Sequence, residues 1–434
     1  MNEPATKQRV TQPRRRNPGR RGVGWVLGWA LVIIPWIQAQ DYPQWRGETR
    51  DGQIAGLPVR TTWGEPLRPL WSVPVGAGYA TPLVVGGRIF VHARRGEEEE
   101  VLAIQESTAK ILWSDRYPAP YQVDSAAEGH GKGPKSTPAL AQGRLYTVGI
   151  SGILSCYDGA KGTLLWRKRF ADRFPSASPV FGTSASPLVD AGTLYLHVGG
   201  TGKGALFALD AVTGKEKWAW TGDGPGYASP VLADLGGTRQ LITQTERFLV
   251  GLMAQTGQLL WKLPFETAYR QNIVTPLIWR DLIIFSGIYK GVTAIRVRRE
   301  NQRPNALWTT EQVWHNREFS IYMSSPILTG DLLWGHSHRN KGQFFCLDAA
   351  TGRALWSGEP RQGEHASLYH AYGQLFLLNE MGDLFITTTD PRQPRLLRQS
   401  HLGESAIWTH PVIYRNQILV RDQTHLRLYR LFAG

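Results

Sequence analysis

A closed, all-β ring of eight blades, each a four-stranded antiparallel sheet and the last completed by a strand from the N-terminal end, is the fold class the sequence predicts. One unit recurs from residue 70 almost to the C-terminus: a Ser/Thr-Pro step, two short apolar strands, a hairpin and a closing Trp. Its prolines are Pro82, Pro138, Pro187, Pro230, Pro276 and Pro326, and the tryptophans matched to them are Trp113, Trp166, Trp218, Trp261, Trp308 and Trp356, at intervals of 31, 28, 31, 31, 32 and 30 residues. Two further units are degenerate. One runs from Ala366 to about Leu397 without the Ser/Thr-Pro step or the closing Trp, and the other starts at Thr409-His410-Pro411-Val412 and stops near Phe432 with no closing strand. Pro69–Val73 has the pattern of an outer strand but no unit before it, so the two ends complete each other. Such a ring is an eight-bladed β-propeller, and closure has a physical motive: it buries every blade between two neighbours and leaves no uncovered end. Helical solenoids are excluded, because units rich in Val, Ile, Thr, Tyr and Trp with frequent Gly and Pro cannot sustain a 3.6-residue period.

In chain order, the N-terminus reads as a targeting segment, residues 1–39. Arg14-Arg15-Arg16 and Arg20-Arg21 precede an apolar run from Val23 to Ile37, and Gln38-Ala39-Gln40 offers a cleavage site after Ala39. Fifteen residues are fewer than the ~20 of a comfortable membrane span. The expectation is therefore an exported protein, periplasmic or extracellular, with residues 23–37 as a membrane tether if the signal is not cleaved. No Cys follows the run, which excludes a lipoprotein anchor. Residues 40–69 form an extension whose Trp45 and Arg46 are expected to pack on the domain that follows, and residues 70–434 are the ring. The formal charge of +14 falls to about +8 once residues 1–21 are set aside, since they hold seven basic side chains and one acidic one. What remains is spread without a basic stripe, so nucleic acid is not an expected partner; a monomer is expected.

Leu206–Trp218, L-F-A-L-D-A-V-T-G-K-E-K-W, shows how each unit works. A strand alternating as if half-buried enters a turn in which Gly214 supplies a positive φ and the Asp210 carboxylate accepts turn amides; Trp218 then caps the returning strand. Cys156 and Cys346 hold the position of Ala208 in the second and sixth units. Those units lie opposite each other in an eight-blade ring, so two free, buried thiols are expected.

The units 206–218, 344–356 and 154–166 resemble the pyrroloquinoline quinone (PQQ)-type propeller repeat of the quinoprotein alcohol dehydrogenase-like superfamily. The resemblance covers roughly residues 70–432, and P-Q-W-R-G with R-D-G near the start is similar to exported bacterial PQQ-binding-like proteins. It implies the propeller fold and either of two activities: that of the dehydrogenases, or that of non-enzymatic relatives such as the propeller lipoprotein of the outer-membrane β-barrel assembly machinery. The dehydrogenases would imply adjacent cysteines against the quinone, Ca²⁺ on carboxylate and amide oxygens, and an Asp base. This chain has no Cys-Cys pair and little room for the long loops that build such a site.

Strand polarity locates a candidate site. The segments entering each inner strand open around the channel on one face, and the D-x-x-T-G turns lie on the other. Three residues before each proline stand Tyr79, Lys135, Ser184, Tyr227, Ile273, Met323 and Trp408, whose aromatics can stack on a planar ligand or pack together to plug the channel. The loop Ala127–Ser136 adds Glu128, His130, Lys132 and three glycines, a combination suited to a carboxylate or phosphate and equally to a plain rim loop; Pro134 and the strand that follows exclude a P-loop. The cofactor- or ligand-binding candidates are thus Tyr79, Glu128, His130, Lys132, Lys135, Tyr227 and Trp408. His336 and His338 share a strand face at a spacing that can hold Zn²⁺ or Cu²⁺, without an evident third ligand, and Glu97–Glu100 read as a solvated acidic turn. No nucleophile elbow supports a hydrolase. The leading expectation is a non-catalytic binding or scaffold protein with a protein partner or small ligand on the loop-rich face. A PQQ-dependent dehydrogenase with a reduced site, with Ca²⁺, is the alternative, and an outer-membrane protein assembly scaffold the second alternative.

Overall fold

The computed structural model describes residues 41–64, 67–174, 178–301 and 307–432; the expected signal segment lies outside them. Eight four-stranded antiparallel sheets follow one another around a ring. The third blade is representative: Leu188–Asp190, Thr193–Gly200, Lys203–Asp210 and Glu216–Trp220 pair in that order from the channel outward. In the eighth blade Val412–Tyr414, Gln417–Arg421 and His425–Arg430 come from the C-terminal end and Pro69–Pro74 is the outer strand, with Trp71 opposite Leu428. The two degenerate units are therefore full blades, and the ring closes as the sequence predicts.

The hairpin of Leu206–Trp218 departs from its expected half-buried alternation. Ala205, Leu206, Phe207, Ala208 and Leu209 are all within 1 % of full burial. Phe207 and Leu209 join a core with Tyr146, Leu154 and Cys156 of the second blade, whereas Leu206 and Ala208 join Leu241 and Leu252 of the fourth. Each blade is thus apolar on both faces because it has a neighbour on both, the condition under which strands read as continuous apolar runs. The turn behaves as expected: Thr213 donates from its amide (2.8 Å) and its hydroxyl (2.7 Å) to Asp210 Oδ1. Gly214 has φ +68, and a Cβ there would lie 3.0 Å from the Trp166 ring of the preceding blade.

That last contact gives the closing tryptophan a specific task. Trp113, Trp166, Trp218 and Trp314 each donate Nε1–H to a turn carbonyl of the next blade: Gly159 (3.2 Å), Val212 (3.0 Å), Ala254 (3.0 Å) and Ala349 (3.0 Å). Trp71 makes the same bond to Glu106 (3.0 Å) and so ties the eighth blade to the first. In the fifth blade the residue in this register is Trp314, opposite Ala294, and not Trp308, which opens the strand Trp308–Asn316. That outer strand begins early and carries the cap further along, which equal spacing could not reveal. Arg398 takes the position in the seventh blade, opposite Ile386, and donates Nη1 to the Leu431 carbonyl at 3.1 Å. Cys156 and Cys346 are fully buried and free.

The acidic run also differs from its expected solvated turn. Glu97 and Glu98 are exposed, but Glu99 and Glu100 are 0 % and 2 % exposed. Glu99 accepts from Tyr117 (2.7 Å) and from the Ile150 amide of the second blade (2.8 Å), and Glu100 is flanked by Arg95 and Arg116. Two of four consecutive carboxylates are structural: they point to opposite faces of the strand and each finds partners there, Glu99 on the second blade and Glu100 between two arginines.

Residues 41–54 run into the lower channel. Tyr42 bridges to Val84 of the first blade, the Leu140 amide donates to Pro43, and Gln53–Ile54 lies parallel to the inner strand of the seventh blade. Arg46 donates to Pro326 O (2.6 Å) and Arg50 to Pro187 O (2.9 Å), Ser186 O (3.2 Å) and Pro230 O (3.3 Å). Arg60 and Trp63 then lead across Tyr372 and Phe432 to the outer strand of the eighth blade.

Candidate functional site: the axial cavity

The chain enters each blade in an extended conformation, so alternate residues point at the channel axis. Two rings of side chains result. The deeper ring consists of the residues just before each proline. The Thr81 amide donates to Thr137 Oγ1 (3.3 Å), Thr137 to Ser186 Oγ (3.0 Å), Ser186 to Ser229 Oγ (2.9 Å), Ser229 to Thr275 Oγ1 (3.1 Å) and Thr275 to Ser325 Oγ (3.4 Å). The His410 amide joins the belt by donating to Thr81 Oγ1 at 3.2 Å. The Ser/Thr-Pro step is therefore a joint between neighbouring blades: proline leaves no amide of its own to satisfy, and the hydroxyl satisfies the neighbour's. The sequence displayed this as Ser or Thr before every one of the six regular prolines, a signal legible only once the blades are set side by side.

The upper ring surrounds a cavity of ≈ 200 Å³ floored by Trp45. All seven residues predicted three positions before each proline line it: Tyr79, Lys135, Ser184, Tyr227, Ile273, Met323 and Trp408. His130 lines it too, whereas Glu128 and Lys132 do not. Glu128 is exposed on the short 3-10 helix Ser125–His130, and Lys132 pairs with Glu97 at 3.2 Å. Phe181, Tyr322 and His365 complete the wall and were not singled out from the sequence: His365 holds the same place in the seventh blade, whose unit lacks the proline that marks it, Tyr322 is the neighbour of Met323, and Phe181 sits in the loop before the third blade. The rings touch in an arc, Tyr227 to Phe181 (5.9 Å), Phe181 to His130 (5.5 Å), His130 to Trp408 (5.1 Å) and Trp408 to His365 (5.0 Å). They leave the axis open, and the plug comes from Trp45 below.

The glycine-rich loop is built for packing. A Cβ at Gly133 would overlap the backbone of Gly78, and the Pro134 carbonyl accepts from Tyr79 (2.8 Å) and Ala80 (2.9 Å). The Gly131 amide is used on Glu128 O at 3.0 Å. Besides His130, what the loop delivers to the cavity is Lys135. Its Nζ donates to Phe181 O (2.7 Å), and burial lowers its pKa to about 8. Burial and the Lys135 charge both lower His130, and burial with the nearby Arg46 lowers His410 to about 3, so these imidazoles are neutral near pH 7. Burial raises the Tyr79 phenol.

These residues fit the metal half of a calcium–quinone centre poorly. Among the described residues no group of three His, Cys, Asp or Glu side chains is placed to hold a metal ion. Glu380, the one carboxylate among the described lining residues, accepts the amides of Glu364 (2.7 Å) and His365 (3.1 Å). His336 is buried against Phe344, His338 Nδ1 meets the Ser320 carbonyl at 2.8 Å, and among the described residues no third His, Cys, Asp or Glu is placed to join the pair as a ligand. Both cysteines lie within blades, away from the lining.

The family model described as outer membrane protein assembly factor BamB matches residues 121–358, more than half of the chain. A relative from Shewanella oneidensis, named outer membrane protein assembly factor BamB, is 25 % identical over 314 residues, 69 % of this chain and 75 % of that protein. Among solved structures, a quinohemoprotein alcohol dehydrogenase from Comamonas testosteroni aligns over 90 % of this chain and 80 % of its own, with a TM-score of 0.66 and 15 % identity. BamB from Moraxella catarrhalis aligns over 84 % and 99 %, with a TM-score of 0.56 and 15 % identity. At such identities the two structures support the fold alone and do not choose between enzyme and scaffold.

Proposed function

Because the chain belongs to the family described as outer membrane protein assembly factor BamB, we propose that it is an exported, non-catalytic propeller that serves as a scaffold in outer-membrane protein assembly. Residues 1–39 act as the export signal or, uncleaved, as a tether through residues 23–37; residues 40–69 are an extension of the ring formed by 70–434; and the protein works as a monomer. The observation that carries the reading is the family match over 121–358, joined to a division of labour within the ring. The repeated Gly, several of the tryptophans and the Ser/Thr-Pro residues join blades, and the repeated Asp fixes its own turn, which leaves partner binding to the irregular loops of the entry face. The partner class is a component of the machinery that inserts β-barrel proteins.

The test is affinity capture of the tagged full chain from cross-linked envelopes of its own host. A barrel-assembly component should be recovered, and entry-face loop substitutions should lower its yield while turn-face ones do not. Reduction of an acceptor dye on adding PQQ, Ca²⁺ and simple alcohols or sugars would overturn the reading. N-terminal sequencing that begins near Gln40 would establish cleavage.

A further inference from the structure

The joint from a closing tryptophan to the next blade is not made at two interfaces. Trp261 of the fourth blade donates Nε1–H within its own blade, to Gln240 Oε1 at 2.7 Å. Trp356 of the sixth has no hydrogen-bond partner for Nε1 among the described residues. A cleft opens at each of these interfaces. The one between the sixth and seventh blades has a volume of ≈ 210 Å³ and is walled by Trp334, Phe344 and Trp356 on one side and by Leu375, Leu377 and Phe385 on the other.

Two departures of the seventh blade from the repeat create this space. Its turn between Thr387 and Leu396 has no glycine, whereas Gly162, Gly214, Gly257 and Gly352 lie against the rings of Trp113, Trp166, Trp218 and Trp314. The second departure is in the strand before the turn. The residue after the one opposite the cap is Ile104, Tyr157, Leu209, Leu252, Ile295 and Leu347 in the first six blades and Tyr429 in the eighth. In the seventh it is Thr387, which follows Ile386 and lines the cleft. Threonine is smaller than any of these residues. It is 9 % exposed, and its Oγ1 is buried without a hydrogen-bond partner. An unpaired buried hydroxyl is costly, and a bonded guest removes that cost. Gln362, the other polar side chain of the lining, already accepts the Phe344 amide at 3.2 Å.

We propose that this interblade cleft binds a small neutral aromatic molecule of one or two fused rings carrying one N–H or O–H group, which donates to Thr387 Oγ1. The size follows from the volume: an apolar cavity of about 150 Å³ holds benzene, so ≈ 210 Å³ admits a second ring. Neutrality follows from the lining, which among the described residues includes no Asp, Glu, Lys, Arg or His.

Titration calorimetry of the full chain with indole, and with indene as the ring system of the same shape without an N–H, tests this. Indole should bind saturably and at least about threefold more tightly than indene, as expected of one neutral hydrogen bond. Thr387→Val keeps the shape of the side chain; it should erase the preference and raise the melting temperature, because the unpaired hydroxyl is gone. Thr387→Leu restores the aliphatic residue of the other blades, and should fill the cleft, raise the melting temperature and abolish binding of both compounds. Absence of saturable indole binding to the wild type, equal affinity for indene, a preference retained in Thr387→Val, or undiminished binding in Thr387→Leu would each overturn the proposal. None of these outcomes bears on capture of a barrel-assembly partner, so the two readings fail separately.

Discussion

Trp314 stands six residues beyond Trp308, yet it is the one that meets the next blade, through the Ala349 carbonyl and the face of Gly352. Its ring is 7 % exposed, while Trp308 is only half-buried against Gly236. Trp314→Ala should therefore cost about 3–5 kcal/mol, the range for deleting a buried aromatic, and Trp308→Ala clearly less. Urea unfolding of the two variants checks the order, and equal losses would return the cap to Trp308. The same logic marks Arg398 as a tryptophan substitute: a guanidinium is long enough to reach Leu431 O and so preserves the joint that the seventh unit seemed to lack. Regular spacing conveys which kind of residue caps a blade, but the outer-strand register decides which individual does so.

Blades are joined at two radii, by tryptophan near the rim and by hydroxyls at the channel. Thr137→Val keeps the shape of the side chain and leaves the Thr81 amide without its acceptor, so it should cost about 1–3 kcal/mol. Thr137→Ser should cost much less, because the hydroxyl survives; thermal melts of the pair separate a hydrogen-bond effect from a packing effect. The fold was almost wholly legible in the sequence at this scale: strand order, eightfold count and closure by Pro69–Pro74 all follow from the repeat. The site was half legible. Alternation placed Tyr79, Lys135, Tyr227 and Trp408 on the axis, since period two needs no knowledge of neighbours. Glu128 and Lys132 belong to a loop whose 3-10 helix turns them away, Phe181 arrives from a loop that no periodicity governs, and His365 holds the periodic place in the one blade whose unit has no proline to mark it. The fully buried faces of Leu206–Leu209 were misjudged for a related reason, because a hairpin viewed alone has only one covered face.

At the scale of the whole molecule, Gln53 to Tyr42 touches blades from both ends of the chain, and Tyr42 Oη meets Tyr369 Oη at 2.6 Å across 327 residues. A chain starting at Leu67 keeps every four-stranded blade but loses these bonds, so it should fold with a lowered melting temperature. A chain starting at Val75 also loses the outer strand of the eighth blade and the Trp71 bond to Glu106, and should not give a stable monomer. Circular dichroism and light scattering on both distinguish the cases; an unchanged melting temperature for the shorter chain would show the closure to be dispensable.

The strand Pro69–Pro74 pairs with His425–Arg430. Read as a schedule, this means that a segment made among the first must wait for the last to be made. Until then its edge is bare, the eighth blade is missing and the ring has two open faces, a state prone to pairing with other chains. Pairing of such distant segments is intrinsically slow. Pro69–Pro74 thus acts as a check on completion: the ring can shut only once His425–Arg430 is made, and a chain that stops before it leaves that strand unmatched.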